Sequence, residues 1–325
     1  MPEYLLFSTI NSIALASEVV ECLNLKGQIL ELSDIRPIKF ADGEFKVKSN
    51  VSVRRKHVFV IGSTNPPAEN IWELFMIIDS LRRASAETIT VIIPYYGYAR
   101  QDRKSGGREP ITAKMIAGLL EFLGVDRVVC VDLHADQIQG FFDIPADNLH
   151  THLLFAKAIS KDFPNANDLV IVSPDTGGLT RARHLSHIIQ GSRYTFCEKE
   201  RDMNRPDTII ESELNGKVAG KSAVVYDDVT STWHSLKDAI SQLKNAGAKD
   251  ISVAVIHYAC TNATTDSILL EQLPVKKVYT TNTNPRSEYA FQNGLVTLIS
   301  VADLIADTII KISEGGSVSE LFELK

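Results

Sequence analysis

Short runs of apolar, largely β-branched residues alternate along the whole chain with segments of helical periodicity. The runs show little polar alternation, which is typical of parallel strands buried on both faces. Between two of them, residues 70–84 place apolar side chains at helical spacing and charges opposite. The predicted strands span residues 4–8, 58–62, 88–95, 127–133, 169–173, 222–226, 251–257, 277–281 and 295–299. We therefore predict an α/β fold in which helices connect and cover mainly parallel sheets.

The chain is long enough, at 325 residues, to form two ordinary domains. The strand pattern restarts after residues 147–167, which contain no low-complexity linker. We place the boundary near Leu149, giving an N-terminal domain at 1–148 and a C-terminal domain at 149–325. In open α/β sheets, ligands bind beyond the carboxyl ends of the strands. The residues that follow each predicted strand are therefore the first candidates for function.

Composition and charge exclude several classes of partner. A net charge of −6 without long blocks of one sign provides no footprint for nucleic acid or an anionic membrane. We find no secretory leader and no run of about 18 uninterrupted apolar residues. The cysteines, Cys22, Cys130, Cys197 and Cys260, lack CxxC spacing and lie mostly in apolar runs. We expect buried, reduced thiols and a cytoplasmic location.

Two adjacent acids and a hydroxyl-rich turn follow the predicted strand at 222–226. Asp227 and Asp228 could hold sugar hydroxyls, and the turn leads into a predicted helix whose free backbone amides would attract a phosphate. Thr230, Ser231, Thr232 and Ser235 add hydroxyl donors. The alternative is an ordinary helix N-cap on a solvated turn. This pattern alone does not decide between them.

Several further segments occur in an order that resembles the ribose-phosphate pyrophosphokinase family. They are FADGE at 40–44, ASAETITV at 84–91, PYYGYARQDRK at 94–104, PITAK at 110–114, VDLHADQIQGFFDIP at 131–145, SPDTGG at 173–178 and SVSELF at 317–322. The resemblance covers essentially the whole chain. It implies two phosphoribosyltransferase-like α/β domains and transfer of the β,γ-diphosphate of magnesium ATP to the 1-hydroxyl of ribose 5-phosphate.

The resemblance implies a site for ATP as co-substrate. Its residues are Phe40, Asp42, Gly43, Glu44, Arg100 and Gln101. The Phe40 ring would lie against adenine, and the Arg100 guanidinium fork suits a polyphosphate better than an ammonium does. Without its acidic neighbours, Phe40 would be interpreted as an ordinary core aromatic.

The resemblance also implies metal ligands and a catalytic pair. His134 and Asp175 would bind magnesium, although an imidazole is unusual for so hard a cation, which leaves a water-mediated contact or manganese as alternatives. Lys199 and Arg201 lie in a polar stretch after the strand-like residues 193–197 and match the family's catalytic loop. Two cations there would offset charge on the transferring diphosphate. The alternative is a solvated cluster of alternating charges.

The loop after the acid pair departs from the family pattern. The family places an aspartate, one or two glycines and a threonine there, around the 5-phosphate of ribose 5-phosphate. Here Ser231, Trp233, His234 and Ser235 stand at those positions, and Thr232 is kept. Glycine allows close approach of backbone to phosphate, so we expect a reshaped pocket. Base stacking by Trp233 and hydrogen bonding by His234 favour ADP-ribose as the acceptor, giving ADP-ribose 1-diphosphate.

Two alternatives remain beside that acceptor. One is the ordinary acceptor, ribose 5-phosphate, which would give phosphoribosyl diphosphate. The other is a non-catalytic regulatory subunit of a synthetase, because altered substrate-loop residues are how such a subunit could look. Retention of Lys199, Arg201 and both implied metal ligands argues for an active enzyme. The resemblance further implies a homo-oligomer, either a hexamer or a dimer.

Overall fold

The computed structural model describes residues 4–202, 205–260, 272–284 and 294–322, with the backbone alone at 199–202 and 205–213. The chain divides into two compact units. The first contains the described residues up to His150, together with 283–284 and 300–322. The second contains the described residues of 151–282 and 294–299.

The first unit is built on a parallel sheet. Its described strands are β1 (Tyr4–Ser8), β2 (Ile35–Lys39), β3 (Phe45–Ser49), β4 (His57–Ile61), β5 (Thr88–Ile93), β6 (Arg127–Val131) and β7 (Ala146–Leu149). Strands β1, β4, β5, β6 and β7 lie side by side in that order and are parallel, whereas β2 and β3 form a separate antiparallel pair. The helices α1 (Ile13–Leu25), α2 (Glu69–Arg83) and α3 (Thr112–Phe122) connect them.

Burial on both faces explains the apolar runs of the sequence. Val60, Val91 and Val128 pack on one face of the first sheet in a cluster with Ile77 of α2 and Ile116 of α3. The strand residues that alternate with them are buried as well. A strand covered on both sides gains from apolar side chains at every position, so its sequence does not alternate.

The second unit contains a larger mixed sheet. Its described strands are β8 (Leu169–Ser173), β9 (Arg193–Asp202), β10 (Arg205–Leu214), β11 (Ser222–Thr230), β12 (Asp250–Tyr258), β13 (Lys277–Thr281) and β14 (Val296–Ile299), and its helices are α4 (His152–Asp162), α5 (Leu179–Ile188) and α6 (His234–Asn245). The strand order is β10-β9-β8-β11-β12-β13-β14, and within it β9 and β10 are antiparallel. The chain runs outward from β8 to β9 on one side and from β11 to β12 on the other. The strand order therefore reverses between β8 and β11.

Two apolar layers cover this second sheet. Val225 and Val253 share a cluster with Leu236 of α6 on one face. Val224 shares a cluster with Phe155 of α4 on the other face.

None of the described helices is long and apolar enough to cross a membrane.

The last described α-helix, α7 (Ala302–Glu314), belongs to the first unit, whereas the sequence analysis assigns all of 149–325 to the second domain. Lys26 at the end of α1 places its Nζ 2.9 Å from Asp303 and 2.8 Å from Asp307 of α7. Ile305 and Ile309 of α7 are fully buried. An amphipathic pattern shows that a helix covers a core but not which core it covers, so local reasoning extended the second domain too far.

The structure contains strands at all the predicted positions and several that the sequence did not predict. The unpredicted elements include β2, β3, β7 and β10. Both β2 and β3 contain charged residues and are largely exposed or only partly buried, and β2 contains Pro37, so they lack the buried apolar pattern on which the prediction rested. Cys130, Cys197 and Cys260 are buried as expected, but Cys22 on α1 is partly exposed.

Candidate functional site

The acid pair lies where the strand order of the second sheet reverses. Strand β11 continues to Thr230, beyond the end predicted at 226, so Asp227 and Asp228 lie within the strand. Their backbone extends past the last residue at which β11 pairs with β8. Ligands of open α/β sheets bind in the crevice beyond the carboxyl ends of the strands at such a reversal. The pair therefore occupies the place where this fold most readily forms a site.

An arginine from a neighbouring helix partly offsets the charge of the pair. Arg181 of α5 places its Nη1 3.3 Å from Oδ1 of Asp228 and 3.6 Å from Oδ1 of Asp227. The side chains of Asp228 and Asp227 are only 7% and 14% exposed. The sequence analysis missed Arg181. Its signal was a cation in the first turn of a helix, where the dipole disfavours positive charge unless an anion lies close by.

The pKa of Asp227 is raised well above its ordinary value. Burial is the main cause, and the neighbouring carboxylates of Asp228 and Asp175 act in the same direction. The Arg181 guanidinium lowers the pKa but does not cancel the effect. Carboxyl groups whose pKa is strongly shifted by burial and by neighbouring charges concentrate at functional sites.

The loop after the pair keeps four of its five predicted acceptor groups at the surface. Thr232 and His234 are exposed, and Ser231 and Ser235 are partly exposed, at and before the start of α6. Trp233 is only 1% exposed and belongs to the apolar cluster beneath α6. The stacking role predicted for Trp233 is therefore wrong, because its ring is already covered by the protein.

Asp175 follows β8 in a tight turn that leads into α5. Its Oδ1 accepts the backbone N–H of Gly178 at 3.0 Å, and Ser173 Oγ donates to its carbonyl oxygen at 2.7 Å. The carboxylate is partly exposed. Among the described residues, no group of three or more His, Cys, Asp or Glu forms a ready-made metal site. Magnesium usually binds one or two protein carboxylates and completes its shell with water and phosphate oxygens, so the single Asp175 carboxylate fits it.

His134 lies in a turn after β6 in the first unit. Its side chain is exposed. Asn148 of β7 holds the turn from both sides, because its Oδ1 accepts the N–H of Leu133 at 2.9 Å and its Nδ2 donates to Asp136 at 2.9 Å. The turn that carries the predicted metal ligand His134 is thus held by two hydrogen bonds with Asn148.

Four of the predicted ATP residues lie at the tip of the β2–β3 hairpin. The N–H of Phe40 donates to the Glu44 carbonyl at 2.8 Å, the N–H of Glu44 donates to Asp42 Oδ1 at 3.1 Å, and Gly43 has φ +93°. Phe40 is 46% exposed, and the Lys46 ammonium lies 5.6 Å from the centroid of its ring. Phe40 is therefore not a core aromatic, and its ring is accessible to a base.

Arg100 and Gln101 lie in the loop after β5, and both are exposed. Thr112 Oγ1 donates to Gln101 Oε1 at 2.5 Å, which orients that amide. A Cβ at Gly97 would lie 2.1 Å from the carbonyl oxygen of Thr64, so the loop can take this path only with glycine there. The close approach of Gly97 to the Thr64 backbone thus constrains the path of the loop that carries Arg100 and Gln101.

Lys199 and Arg201 lie on β9 rather than in a loop after it, because the strand continues to Asp202. Their partners on β10 are Ser212 and Ile209. The side chains of both basic residues lie outside the described part of the structure. Their catalytic role stays a prediction.

Comparison with known proteins decides the family. Residues 4–124 match the family of the N-terminal domain of ribose phosphate pyrophosphokinase, and residues 199–323 match the phosphoribosyl synthetase-associated domain. The ribose-phosphate pyrophosphokinase of Thermotoga maritima is 41% identical over 310 residues, which is 95% of this chain and 94% of the relative. This chain belongs to the ribose-phosphate pyrophosphokinase family.

A second relative and a crystal structure support the same family assignment. Ribose-phosphate pyrophosphokinase 1 of Streptococcus pneumoniae is 38% identical over 321 residues, covering 98% of each chain. The crystal structure of phosphoribosylpyrophosphate synthetase from Mycobacterium smegmatis superimposes with a TM-score of 0.88 at 34% identity, covering 97% of this chain and 100% of that one. The predicted family, the α/β fold with two phosphoribosyltransferase-like domains and the diphosphotransferase class of enzyme are confirmed.

Asp227→Asn is expected to stabilise this pyrophosphokinase at neutral pH. The raised pKa means that the folded chain holds the proton of Asp227 more tightly than the unfolded chain does. Stability is therefore lost as pH rises from the ordinary carboxyl pKa through the raised one. An amide removes that loss, and we expect the melting temperature at pH 7 to rise by about 2–4 °C. The gain should vanish below about pH 4, where both forms are neutral.

Asp250→Asn is the matched control for this measurement. Asp250 lies in the same unit, its carboxylate is 29% exposed, and it pairs with Lys276 at 3.5 Å. It should give no gain at pH 7. An Asp227→Asn protein that melts at or below the wild-type temperature at neutral pH contradicts the proposed cause.

Proposed function

We propose that this pyrophosphokinase transfers the β,γ-diphosphate of ATP to the 1-hydroxyl of ribose 5-phosphate and releases AMP. The observation that carries the proposal is the buried pair Asp227 and Asp228 at the reversal of the second sheet, followed directly by a polar loop and the start of α6. Carboxylates suit sugar hydroxyls, and the amides at a helix start suit a phosphate. A ribose phosphate offers both groups in one small molecule.

The burial of Trp233 favours ribose 5-phosphate over ADP-ribose. The case for ADP-ribose rested on an exposed indole that stacks on its adenine, and that indole lies in the core. The surface that remains contains hydroxyls, the His234 imidazole and backbone amides. These groups suit a terminal phosphate, and the indole on which the adenine was expected to stack is not among them.

In the proposed reaction, Asp227 and Asp228 accept hydrogen bonds from ribose hydroxyls while Arg181 holds the pair in place. Ser231, Thr232, Ser235, His234 and the amides before α6 bind the 5-phosphate. The 1-hydroxyl oxygen forms a bond to the β-phosphorus, the bond from that phosphorus to the AMP oxygen breaks, and the hydroxyl proton passes to solvent. Lys199 and Arg201 offset charge on the transferring group.

The hairpin tip and the loop after β5 would bind ATP. Phe40 stacks on adenine, Asp42, Gly43 and Glu44 bind the nucleoside, and Arg100 and Gln101 bind polar parts of the nucleotide. We propose Asp175 and His134 as metal ligands, with His134 better suited to manganese or to contact through water. Magnesium, when bound, neutralises phosphate charge.

The test is AMP release from magnesium ATP by purified protein with ribose 5-phosphate, with ADP-ribose and without acceptor. We expect AMP with ribose 5-phosphate, together with a ribose product that carries a 1-diphosphate. AMP only with ADP-ribose would show that the acceptor has changed. No AMP with either acceptor would favour a regulatory subunit.

We also propose that the enzyme acts as a homo-oligomer, a hexamer or a dimer, in the cytoplasm without nucleic-acid or membrane partners. Membership of the family and the retained SVSELF segment at 317–322 support the assembly. Sedimentation equilibrium of the purified chain measures it.

A further inference from the structure

Trp233 has a backbone conformation that normally belongs to glycine. Its φ is +63° and its ψ is −3°, immediately before the first residue of α6. Side chains with a Cβ disfavour this left-handed region, whereas glycine enters it freely. The loop therefore keeps the backbone conformation of a small residue while carrying the largest side chain of the amino acids.

Burial of the indole compensates for that conformation. The Trp233 Nε1–H donates to Tyr258 Oη at 3.4 Å, and the two rings meet edge to face with centroids 6.0 Å apart. Leu236 and Cys260 belong to the same buried cluster. A strained residue persists when its surroundings fix it by packing, and such residues occur at functional sites.

The other end of the loop is fastened to the same strand. The carbonyl oxygen of Thr230 accepts the N–H of Ala259 at 2.8 Å and the thiol of Cys260 at 3.7 Å. Thr230 is also the register partner of Tyr258 on β12. The end of β12 thus holds the loop on both sides of Ser231 and Thr232.

We infer that Trp233 is a positioning residue for the acceptor: its buried ring holds the loop whose exposed hydroxyls and amides bind the 5-phosphate. The inference rests on the proposed function, since it concerns the same site. A loop that is already ordered loses less conformational entropy on binding. Removing the ring should therefore weaken acceptor binding and leave ATP binding and the chemical step largely unchanged.

The experiment compares Trp233→Gly, Trp233→Phe and Leu243→Ala with the wild type. Glycine accepts the positive φ but has no ring, and phenylalanine restores a buried ring. Leu243 is fully buried in the same cluster near the far end of α6, so its truncation weakens the core without touching the loop. We expect the KM for ribose 5-phosphate to rise about tenfold in Trp233→Gly and about threefold in Trp233→Phe. It should stay unchanged in Leu243→Ala, as should the KM for ATP in all three.

Amide hydrogen exchange of the peptide spanning 229–236 provides a readout that needs no acceptor. We expect the fastest exchange in Trp233→Gly, an intermediate rate in Trp233→Phe and the wild-type rate in Leu243→Ala. Unchanged exchange, or an unchanged acceptor KM in an active enzyme, overturns the inference. If wild type is inactive with ribose 5-phosphate but exchange rises, the anchor is supported and the proposed acceptor fails. If Trp233→Gly does not fold, Trp233→Phe against Leu243→Ala decides by the acceptor KM.

Discussion

Asp228→Asn is expected to lower kcat/KM for ribose 5-phosphate by about 10²–10³-fold. The Asp228 side chain is only 7% exposed, and it lies 3.3 Å from the Arg181 guanidinium. An amide of the same shape has one acceptor oxygen instead of two and presents an NH₂ group to donors. It also leaves Arg181 with less negative charge nearby, so the change disturbs both the sugar contact and the electrostatics that hold the pair.

The measurement is steady-state AMP release with each substrate varied in turn. Asp250→Asn, which removes a carboxylate from the same sheet beside Lys276, is the matched control and should retain wild-type activity. Melting temperature separates a loss of function from a loss of fold. If Asp228→Asn retains more than about a tenth of wild-type kcat/KM, the pair does not bind the reacting sugar.

Arg201→Ala is expected to lower kcat by about 10³-fold while the KM for ATP changes little. In diphosphate transfer the protein contributes mainly positioning and neutralisation of charge, so a cation that acts in the transition state affects kcat rather than ground-state binding. Arg201→Lys should fall between alanine and wild type. It keeps the charge but loses the planar fork that matches phosphate oxygens.

Lys217→Ala supplies the control, because Lys217 is exposed and lies three residues after the end of β10 at Leu214. Its loss should leave kcat unchanged, which distinguishes a specific effect of Arg201 from the general positive charge near the β9–β10 hairpin. If both alanine variants reduce kcat equally, or if neither does, then Lys199 and Arg201 are part of a solvated charge cluster and the catalytic assignment fails. The dependence of each rate on salt concentration supports that distinction, since exposed charges are screened.

The sequence by itself determined the fold class, most strands of both sheets and the family. Strands such as β8 and β13 were predicted with the same bounds, because a strand buried on both faces needs apolar side chains at every position. The acid pair and Asp175 were found by the same logic, since residues that follow strands in α/β sheets lie at the ligand-binding edge. The hairpin tip at 40–44 was found only through its resemblance to the family motif. These features are local, and local patterns can reveal them.

Only the tertiary structure decided which groups lie together. Arg181 and Asp228 are separated by 47 positions in the chain and meet because β8 and β11 are neighbours in the sheet. Trp233 has a left-handed backbone conformation and its ring packs against Tyr258, and neither feature can be inferred from a run of polar residues. The assignment of α7 to the first unit likewise depends on which of the two cores the helix packs against. Packing between distant segments leaves no pattern in the sequence of either segment. For that reason Trp233, which suggested a new acceptor in the sequence, is a buried core residue in the fold.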